Sequence, residues 1–284
     1  MKKIAIIGSS GLIGSALTTH LKQFYKIIEI PGKILYEIPE KISREISGCQ
    51  VIINLAGHNV AGRWTKRKKN KIKYSRFITT QNLVSSFHLL TSKPEFYINA
   101  SGISIYEDGK LMDENDIEFA DNFLAGVVRQ WEINAFEANN LGINTAVIRM
   151  GIILSGKGGA YPELRRLVKL FFVRAIGSGN QGMSVIHIDD AVRAINFMIE
   201  KKIGGIINLC LPKPTSNSEF LNAIALTHKT PVFFRIPVSV LKFFLLEGHI
   251  ILTKGQKIYP GVLLMNGFSF SLPDIYKCIL KLEE

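Results

Sequence analysis

A short strand, a turn carrying three glycines and a helix stand in that order at the start of the chain, and they limit what it can fold into. Ile4 to Ile7 is an apolar run long enough for one buried strand, and Ile13, Leu17 and Leu21 recur at steps of four, as on one face of a helix. Between them lies Gly8-Ser9-Ser10-Gly11-Leu12-Ile13-Gly14. Strand, glycine turn and helix together make a dinucleotide-binding fingerprint. Gly8 allows the tight turn, and Gly11 lets the backbone approach a pyrophosphate. Gly14 lets the helix sit close on the sheet, with its N-terminal N–H groups facing the phosphates. The spacing is G-x-x-G-x-x-G rather than G-x-G-x-x-G, so a purely structural glycine turn is the competing reading.

At 284 residues the chain has room for one large domain, or for one with a small added lobe. A hydrophobic fraction of 47% with 20% charged residues is that of a soluble globular protein. The net charge of +12 suits anionic ligands without requiring nucleic acid. Cys49, Cys210 and Cys278 are far apart, with no CxxC or Cys/His cluster. Neither a disulfide framework nor a metal site is indicated, and a reducing cytoplasm fits best. Lys2-Lys3 leads into a first strand rather than a signal peptide, because glycines and serines break the apolar run. Val232 to Leu252 is interrupted by Arg235, Pro237, Lys242, Glu247 and His249, and falls short of the ~20 apolar residues of a membrane span.

Further along, Tyr25 to Ile30 reads as a second strand ending at Pro31-Gly32-Lys33. There an acid would bond a ribose 2′-hydroxyl, whereas a cation would meet a 2′-phosphate. Glu29 lies earlier and Lys33 is near the tip, which favours NADP over NAD, with NAD(H) still open. Val51 to Leu55 is a third strand closed by Ala56-Gly57, small residues against which a flat ring or ribose can lie. The densest charge run follows: Arg63, Lys66, Arg67, Lys68, Lys69, Lys71, Lys73 and Arg76. Nucleic-acid binding needs a groove-reading element or stacking aromatics, and only Trp64 and Tyr74 are near. The run reads instead as a solvated helix face from which Lys71 and Arg76 turn inward toward a phosphate.

Phe96 to Ala100 is another strand, carrying Ser101 and Tyr106 at its carboxyl end, and an acidic stretch, Asp113 to Asp121, comes next. Phe123 to Asn139 has helical spacing, and Asn144 to Leu154 reads as one strand containing Arg149 and Gly151. Five or more β units with helical patterns between them predict a doubly wound parallel sheet. The character changes near residue 155, placing a nucleotide-binding core at 1–155, completed by a strand from about 204–212, and a substrate-side lobe at 156–284. A helix over Ala191–Glu200 would be capped by Asp189 or Asp190, with His187 as a hydrogen-bonded structural group. Ser216 or Asn217 would cap a helix over Ser218–Thr227.

The motifs together resemble the extended short-chain dehydrogenase/reductases, the NAD-dependent epimerase/dehydratase superfamily, and among them the atypical "epimerase family protein" branch. The likeness rests on GSSGLIG at 8–14, INLAG at 53–57, RW at 63–64 and Ser75-Arg76 with Thr80. It continues through Ala100-Ser101 with Tyr106, Trp131-Glu132, R-x-G at 149–151, GSGNQ at 177–181, IHIDD at 186–190 and the tail at 255–270. The resemblance implies a Rossmann α/β fold with a smaller C-terminal α/β lobe. It also implies NADP(H) held by Gly8 to Gly14, Gly32-Lys33, Leu55-Ala56-Gly57, Lys71, Arg76, Ala100, Arg149 and Ile152.

Active members of that superfamily carry Tyr-x-x-x-Lys on a helix, where tyrosine moves the proton and lysine lowers its pKa. Phe123 and Val127 align there and neither ionises. Ser101 and Tyr106 are therefore the catalytic candidates. Two functions follow: an NADP(H)-dependent oxidoreductase or epimerase-like enzyme acting on an unassigned small molecule, and a cofactor-binding sensor or scaffold without chemistry. A monomer or homodimer is expected, with no nucleic-acid or membrane partner.

Overall fold

The computed structural model describes residues 1–284. In chain order it forms β1 (Lys3–Ile7), α1 (Leu12–Leu21), β2 (Lys26–Ile30), α2 (Pro39–Ile46), β3 (Val51–Asn54), α3 (Lys66–His88) and β4 (Phe96–Gly102). Then come the two-residue β5 (Leu111–Met112), α4 (Phe123–Phe136), β6 (Asn144–Met150), β7 (Ile152–Ser155), β8 (Gly158–Gly159), α5 (Tyr161–Phe171) and β9 (Val173–Ile176). The chain continues with β10 (Val185–His187), α6 (Ile188–Lys201), β11 (Gly205–Leu209), α7 (Asn217–Thr227) and β12 (Phe234–Ile236). It closes with α8 (Val238–Leu245), α9 (Ile250–Thr253), β13 (Lys257–Ile258), α10 (Gly261–Met265) and α11 (Ile275–Glu283).

Six strands make one parallel sheet in the order β11-β6-β4-β3-β1-β2. Successive side chains of a strand point to opposite faces, and both faces are covered. Ile4, Ile6, Ile53, Ile98 and Ile148 share a core with Leu17 and Leu21 of α1 and Ile195 and Met198 of α6. On the other face Ala5, Ile7, Ile52, Tyr97 and Val147 pack with Ile42 and Ile46 of α2 and Leu83 and Phe87 of α3. Each fully buried isoleucine contributes about 1.5–3 kcal/mol by leaving water. This is the doubly wound α/β sheet the sequence predicts.

The winding direction reverses between β1 and β3: β2 lies on one side of β1, and every later strand of the sheet lies on the other. Ligand crevices in open α/β sheets form at such a switch, outside the carboxyl ends of the strands. Here those ends are Gly8 and Leu55-Ala56.

Three sequence expectations are corrected. The strand expected over Asn144–Leu154 is two strands, β6 in the main sheet and β7 in a small sheet with β8 and β10. Gly151 makes the break: a Cβ there would stand 2.5 Å from the Ser184 carbonyl oxygen, so the chain leaves one sheet and crosses a neighbouring backbone at that point. The helix expected from Ala191 begins at Ile188, and neither Asp189 nor Asp190 caps it. His187 does, its Nδ1 accepting from the Asp189 N–H at 3.2 Å. Asp190 is fully buried and instead accepts from the backbone N–H groups of Ser271 and Leu272, joining α6 to the C-terminal segment. Ser216 caps α7 as expected, in a reciprocal box with Glu219.

No helix is long and apolar enough to cross a membrane. All three cysteines are buried free thiols.

The His187 cap works only with a neutral imidazole. Burial lowers the His187 pKa and outweighs the raising influence of Asp189 and Asp190. The unfolded chain therefore binds a proton that the folded protein resists. The cap's contribution is full above the ordinary histidine value of about 6.5 and is lost as pH falls from there through the lower folded value. In urea unfolding between pH 7.5 and 5, the native protein is expected to lose about 1 kcal/mol more stability than His187→Asn, which keeps an acceptor that does not titrate. Parallel pH profiles would remove the cap from this account.

Candidate cofactor site

The turn between β1 and α1 is built by backbone contact that only glycine permits. Gly8 has φ +84°, and a Cβ on it would lie 3.1 Å from both the Ala56 nitrogen and the Leu55 carbonyl carbon. A Cβ on Gly14 would lie 2.2 Å from the Gly8 carbonyl oxygen. Gly11 is looser: its N–H bonds the Gly8 carbonyl at 3.1 Å, and a Cβ would meet nothing closer than that oxygen at 3.3 Å. Gly11 is the N-cap of α1, no side chain bonds the helix end, and no acid occupies its first turn. Ser10 and Gly11 are exposed, Leu12 and Ile13 half-buried, and Ser9 and Gly14 buried. The first N–H groups of α1 are thus left to a ligand or water, and the helix dipole favours an anion there. Leu12 also touches the β8 loop, lying 3.0 Å from where a Gly159 Cβ would be.

The opposite wall is the end of β3. Asn54 is fully buried; its amide donates to Asn99 Oδ1 at 2.8 Å and its Oδ1 accepts from the Ala56 N–H at 3.1 Å. Tyr97 donates to the same Asn99 oxygen at 2.6 Å. This network fixes the turn that presents Leu55 and Ala56. Gly32 closes against it, 3.2 Å separating its missing Cβ from that of Ala56. Lys33 is exposed in the 3-10 turn Gly32–Tyr36.

From α3, Arg76 reaches back over Gly57. Its guanidinium donates to the carbonyls of His58 and Ile72 at 3.1 Å each and stands 4.8 Å from the Trp131 ring. Burial lowers its pKa to about 10, which leaves it charged at neutral pH. Lys71 lies one turn earlier and lines a cavity of about 760 Å³ with Tyr36, His58, Lys66, Arg67, Asn70, Tyr74 and Ser75.

The structure also places the remaining candidates. Arg149 is 1% exposed and bonds Glu132 of α4 twice, Nε to Oε1 at 2.9 Å and Nη2 to Oε2 at 2.7 Å. Nε and Nη2 are thus committed to Glu132, while Nη1 is buried without a partner. Ser101 is buried and donates to the same Glu132 Oε1 at 2.6 Å. Tyr106 is fully buried, donates to Asn208 Oδ1 at 2.9 Å and stacks beneath Arg149, 4.8 Å away. Burial pushes its phenol up to about 12, against the lowering influence of Arg149. Both hydroxyls are bonded to buried side chains within the protein. Ala100 is buried in β4, and Ile152 is half-buried just past the Gly151 break.

Phe123 and Val127 sit in an apolar cluster with Trp64, Ile72 and Leu124, and Ile251 of α9 packs on it. Trp64 meets Phe123 edge-on at 5.4 Å, and the Lys69 ammonium lies 4.6 Å above the Phe123 ring while bonding Glu247 at 2.7 Å. The segment 238–253 forms this cover. It departs beside Gly177, touches Trp64 through a Trp64 N–H to Leu245 carbonyl bond, and returns where Gly255 abuts Gly182.

Sequence reasoning missed Tyr36, His58, Lys66, Arg67 and Asn70 as cavity residues. They come from three separate segments, and only the charge run hinted at them. It also missed Asn54, Asn99 and Glu132; a polar residue inside an otherwise apolar strand or helix face was the available signal.

Two variants test this geometry. Gly14→Ala, with its Cβ forced against the Gly8 carbonyl, is expected to lose about 1–3 kcal/mol, while Gly11→Ala loses well under half of that. Equal effects in urea unfolding would contradict the packing described. Tyr106→Phe strands a buried Asn208 oxygen and is expected to lower stability by about 1–3 kcal/mol. An unaltered unfolding midpoint would mean that the hydroxyl is not a strut.

Comparison with known proteins agrees with this architecture. Residues 4–210 match the NAD dependent epimerase/dehydratase family, and 236–282 match a domain of unknown function, DUF1731. The chain is 31% identical over 289 residues to Epimerase family protein SSP1921 of Staphylococcus saprophyticus, covering 97% of each. It is 28% identical to Epimerase family protein SDR39U1 of Mus musculus, covering 96% of this chain and 97% of that one. Among solved structures, human SDR39U1 with NADPH superposes with a TM-score of 0.88 at 24% identity, over 99% of this chain and 98% of that one. The glycine cradle, the sheet order and these matches together make the chain a member of the NAD dependent epimerase/dehydratase family.

Proposed function

We propose that the protein binds NADP(H) across the switch point between β1 and β3 and works as an oxidoreductase or epimerase-like enzyme on a small molecule. The observation that carries this reading is an uncapped helix N-terminus with no acid in its first turn, held at the switch point by backbone contacts at Gly8 and Gly14 that leave no room for a Cβ. The residues present fit the cofactor. Gly8 to Gly14 would hold the pyrophosphate and Leu55-Ala56 the ribose and ring, with Gly32 close to Ala56. Lys71 and Arg76 would add positive charge. Ala100 and Ile152 would contribute backbone near the reacting end. The NADPH in the solved human relative supports the same assignment.

NADP(H), when bound, supplies hydride transfer. The protein's own part is binding, orientation and exclusion of water. Ser101, Tyr106, Glu132 and Arg149 hold the floor of the site and do not touch the reacting atoms. Tyr106→Phe and Ser101→Ala are therefore read as stability variants. A small-molecule ligand is preferred over nucleic acid because α3 buries Ile72, Ser75 and Thr79 against the core, and some of its cations line a cavity. Three buried free thiols fit a reducing compartment.

One observation favours a second reading, a cofactor-binding sensor without chemistry: no titratable side chain stands at the α4 positions Phe123 and Val127, which are packed with Trp64. Titration with NADPH, NADH, NADP and NAD by calorimetry, followed by a panel of nucleotide sugars, carbonyls and alcohols, separates the two. Tight binding of the phosphorylated pair with reproducible turnover is the expected result. Binding with no turnover across the panel favours the sensor, and no binding of any of the four removes both readings.

A further inference from the structure

The charge run that opens α3 is more than a solvated surface. The cavity of about 760 Å³ between the β2 tip and this helix takes three cations, Lys66, Arg67 and Lys71, from the first two turns, and no carboxylate lines it. Of the seven cations from Lys66 to Arg76, only Lys69 has an ion-pair partner, Glu247. Thr65 caps the helix, and no acid occupies its first turn. The positive charge is therefore concentrated and unneutralised, at the positive end of a 23-residue helix.

The same cavity touches the cofactor crevice. His58 directly follows Gly57; its N–H bonds Ser75 Oγ at 3.0 Å, and its carbonyl holds Arg76. Tyr36 belongs to the 3-10 turn that begins at Gly32, which packs on Ala56. A ribose lying on Ala56 thus has its outer edge toward this cavity. Lys33, at the β2 tip, is exposed, bonds nothing, and is not among the residues lining it. Tyr36 and Tyr74, both exposed, add flat ring surface at the rim.

Resting on the cofactor reading above, we infer that Arg67 and Lys71 of α3, rather than Lys33 at the β2 tip, form the 2′-phosphate subsite that selects NADP(H) over NAD(H). The phosphate is a dianion of compact shape, and an Arg fork beside a Lys point charge matches it. His58 provides a built-in reporter. Burial and the charges of Lys68, Lys71 and Arg76 lower its pKa, and a dianion in the cavity opposes those charges.

The test is calorimetric titration of the full chain and of Arg67→Gln, Lys71→Gln, the double variant and Lys33→Ala with NADPH and NADH. Each single α3 variant is expected to weaken NADPH about tenfold and the double variant about a hundredfold, with NADH within twofold of the unaltered protein. Lys33→Ala is expected to leave both unaltered. By NMR, the His58 pKa should rise with NADPH and stay put with NADH. If NADPH binds but the Lys33 variant carries the loss, or the α3 variants weaken both dinucleotides alike, the subsite assignment is overturned and the cofactor reading stands. If neither dinucleotide binds the unaltered protein, the cofactor reading itself fails and takes the subsite with it.

Discussion

The approach of the Gly8 backbone to the end of β3 is the contact on which the rest of the site depends. It joins the two strands at which the sheet reverses its winding, so it fixes the width of the crevice. Gly14 then sets how closely α1 lies against the turn, and the direction in which the helix N-terminus points follows from that. Nothing in this arrangement uses a charged side chain. What it offers an anion is a set of peptide dipoles whose position is set by sterics.

Beneath the crevice lies a different kind of order. Glu132 bonds Ser101 and Arg149, Tyr106 bonds Asn208, and the Arg149 guanidinium stacked on the Tyr106 ring joins the two sets, so that α4, β4, β6 and β11 are linked through buried polar groups. Such a network is costly if any member is missing and specifies one packing if all are present. Asn208 continues it, donating to the Tyr259 carbonyl and, through its N–H, to Glu114. Residues that look reactive in one dimension are thus occupied in three. On α4, Phe123 and Val127 lie in an apolar cluster with Trp64, Ile72 and Leu124, so that side of the helix presents shape and no charge.

The fold was largely legible in the residues. Ile4–Ile7, Val51–Asn54 and the glycine turn carry strong local signals, and the order of units restricts the sheet to a doubly wound form. The strand over 144–154 was misread because its apolar pattern runs through Gly151, and only the crossing Ser184 backbone shows why the chain must bend there. The cap of α6 was misread because aspartates are common caps, whereas Asp190 is drawn into a tertiary bond with Ser271 and Leu272 that no local window contains. The surroundings of the catalytic candidates were hidden for the same reason. Ser101 sits at a strand end, as reactive serines do, but its partner Glu132 is thirty-one residues away. The cavity on α3 was half legible: the cations were evident, but Tyr36 and His58, which give it walls, come from other segments.

The cover over Trp64 and Phe123 leaves beside Gly177 and returns beside Gly182, so both of its feet stand on one short loop. Gly182 and Gly255 meet backbone to backbone; a Cβ on Gly255 would lie 1.9 Å from the Gly182 carbonyl oxygen. The span between the feet is therefore set by that loop and not by the length of chain that leaves and returns. Doubling such an excursion costs only about 0.6 kcal/mol in closure entropy. The length of chain between 238 and 253 is thus only weakly tied to the geometry of the sheet and the glycine cradle, whereas Gly248 within it is fixed, because a Cβ there would lie 2.3 Å from the Gly62 carbonyl oxygen. The cover over Trp64 and Phe123 thus takes its anchorage from a loop that is separate from the glycine cradle.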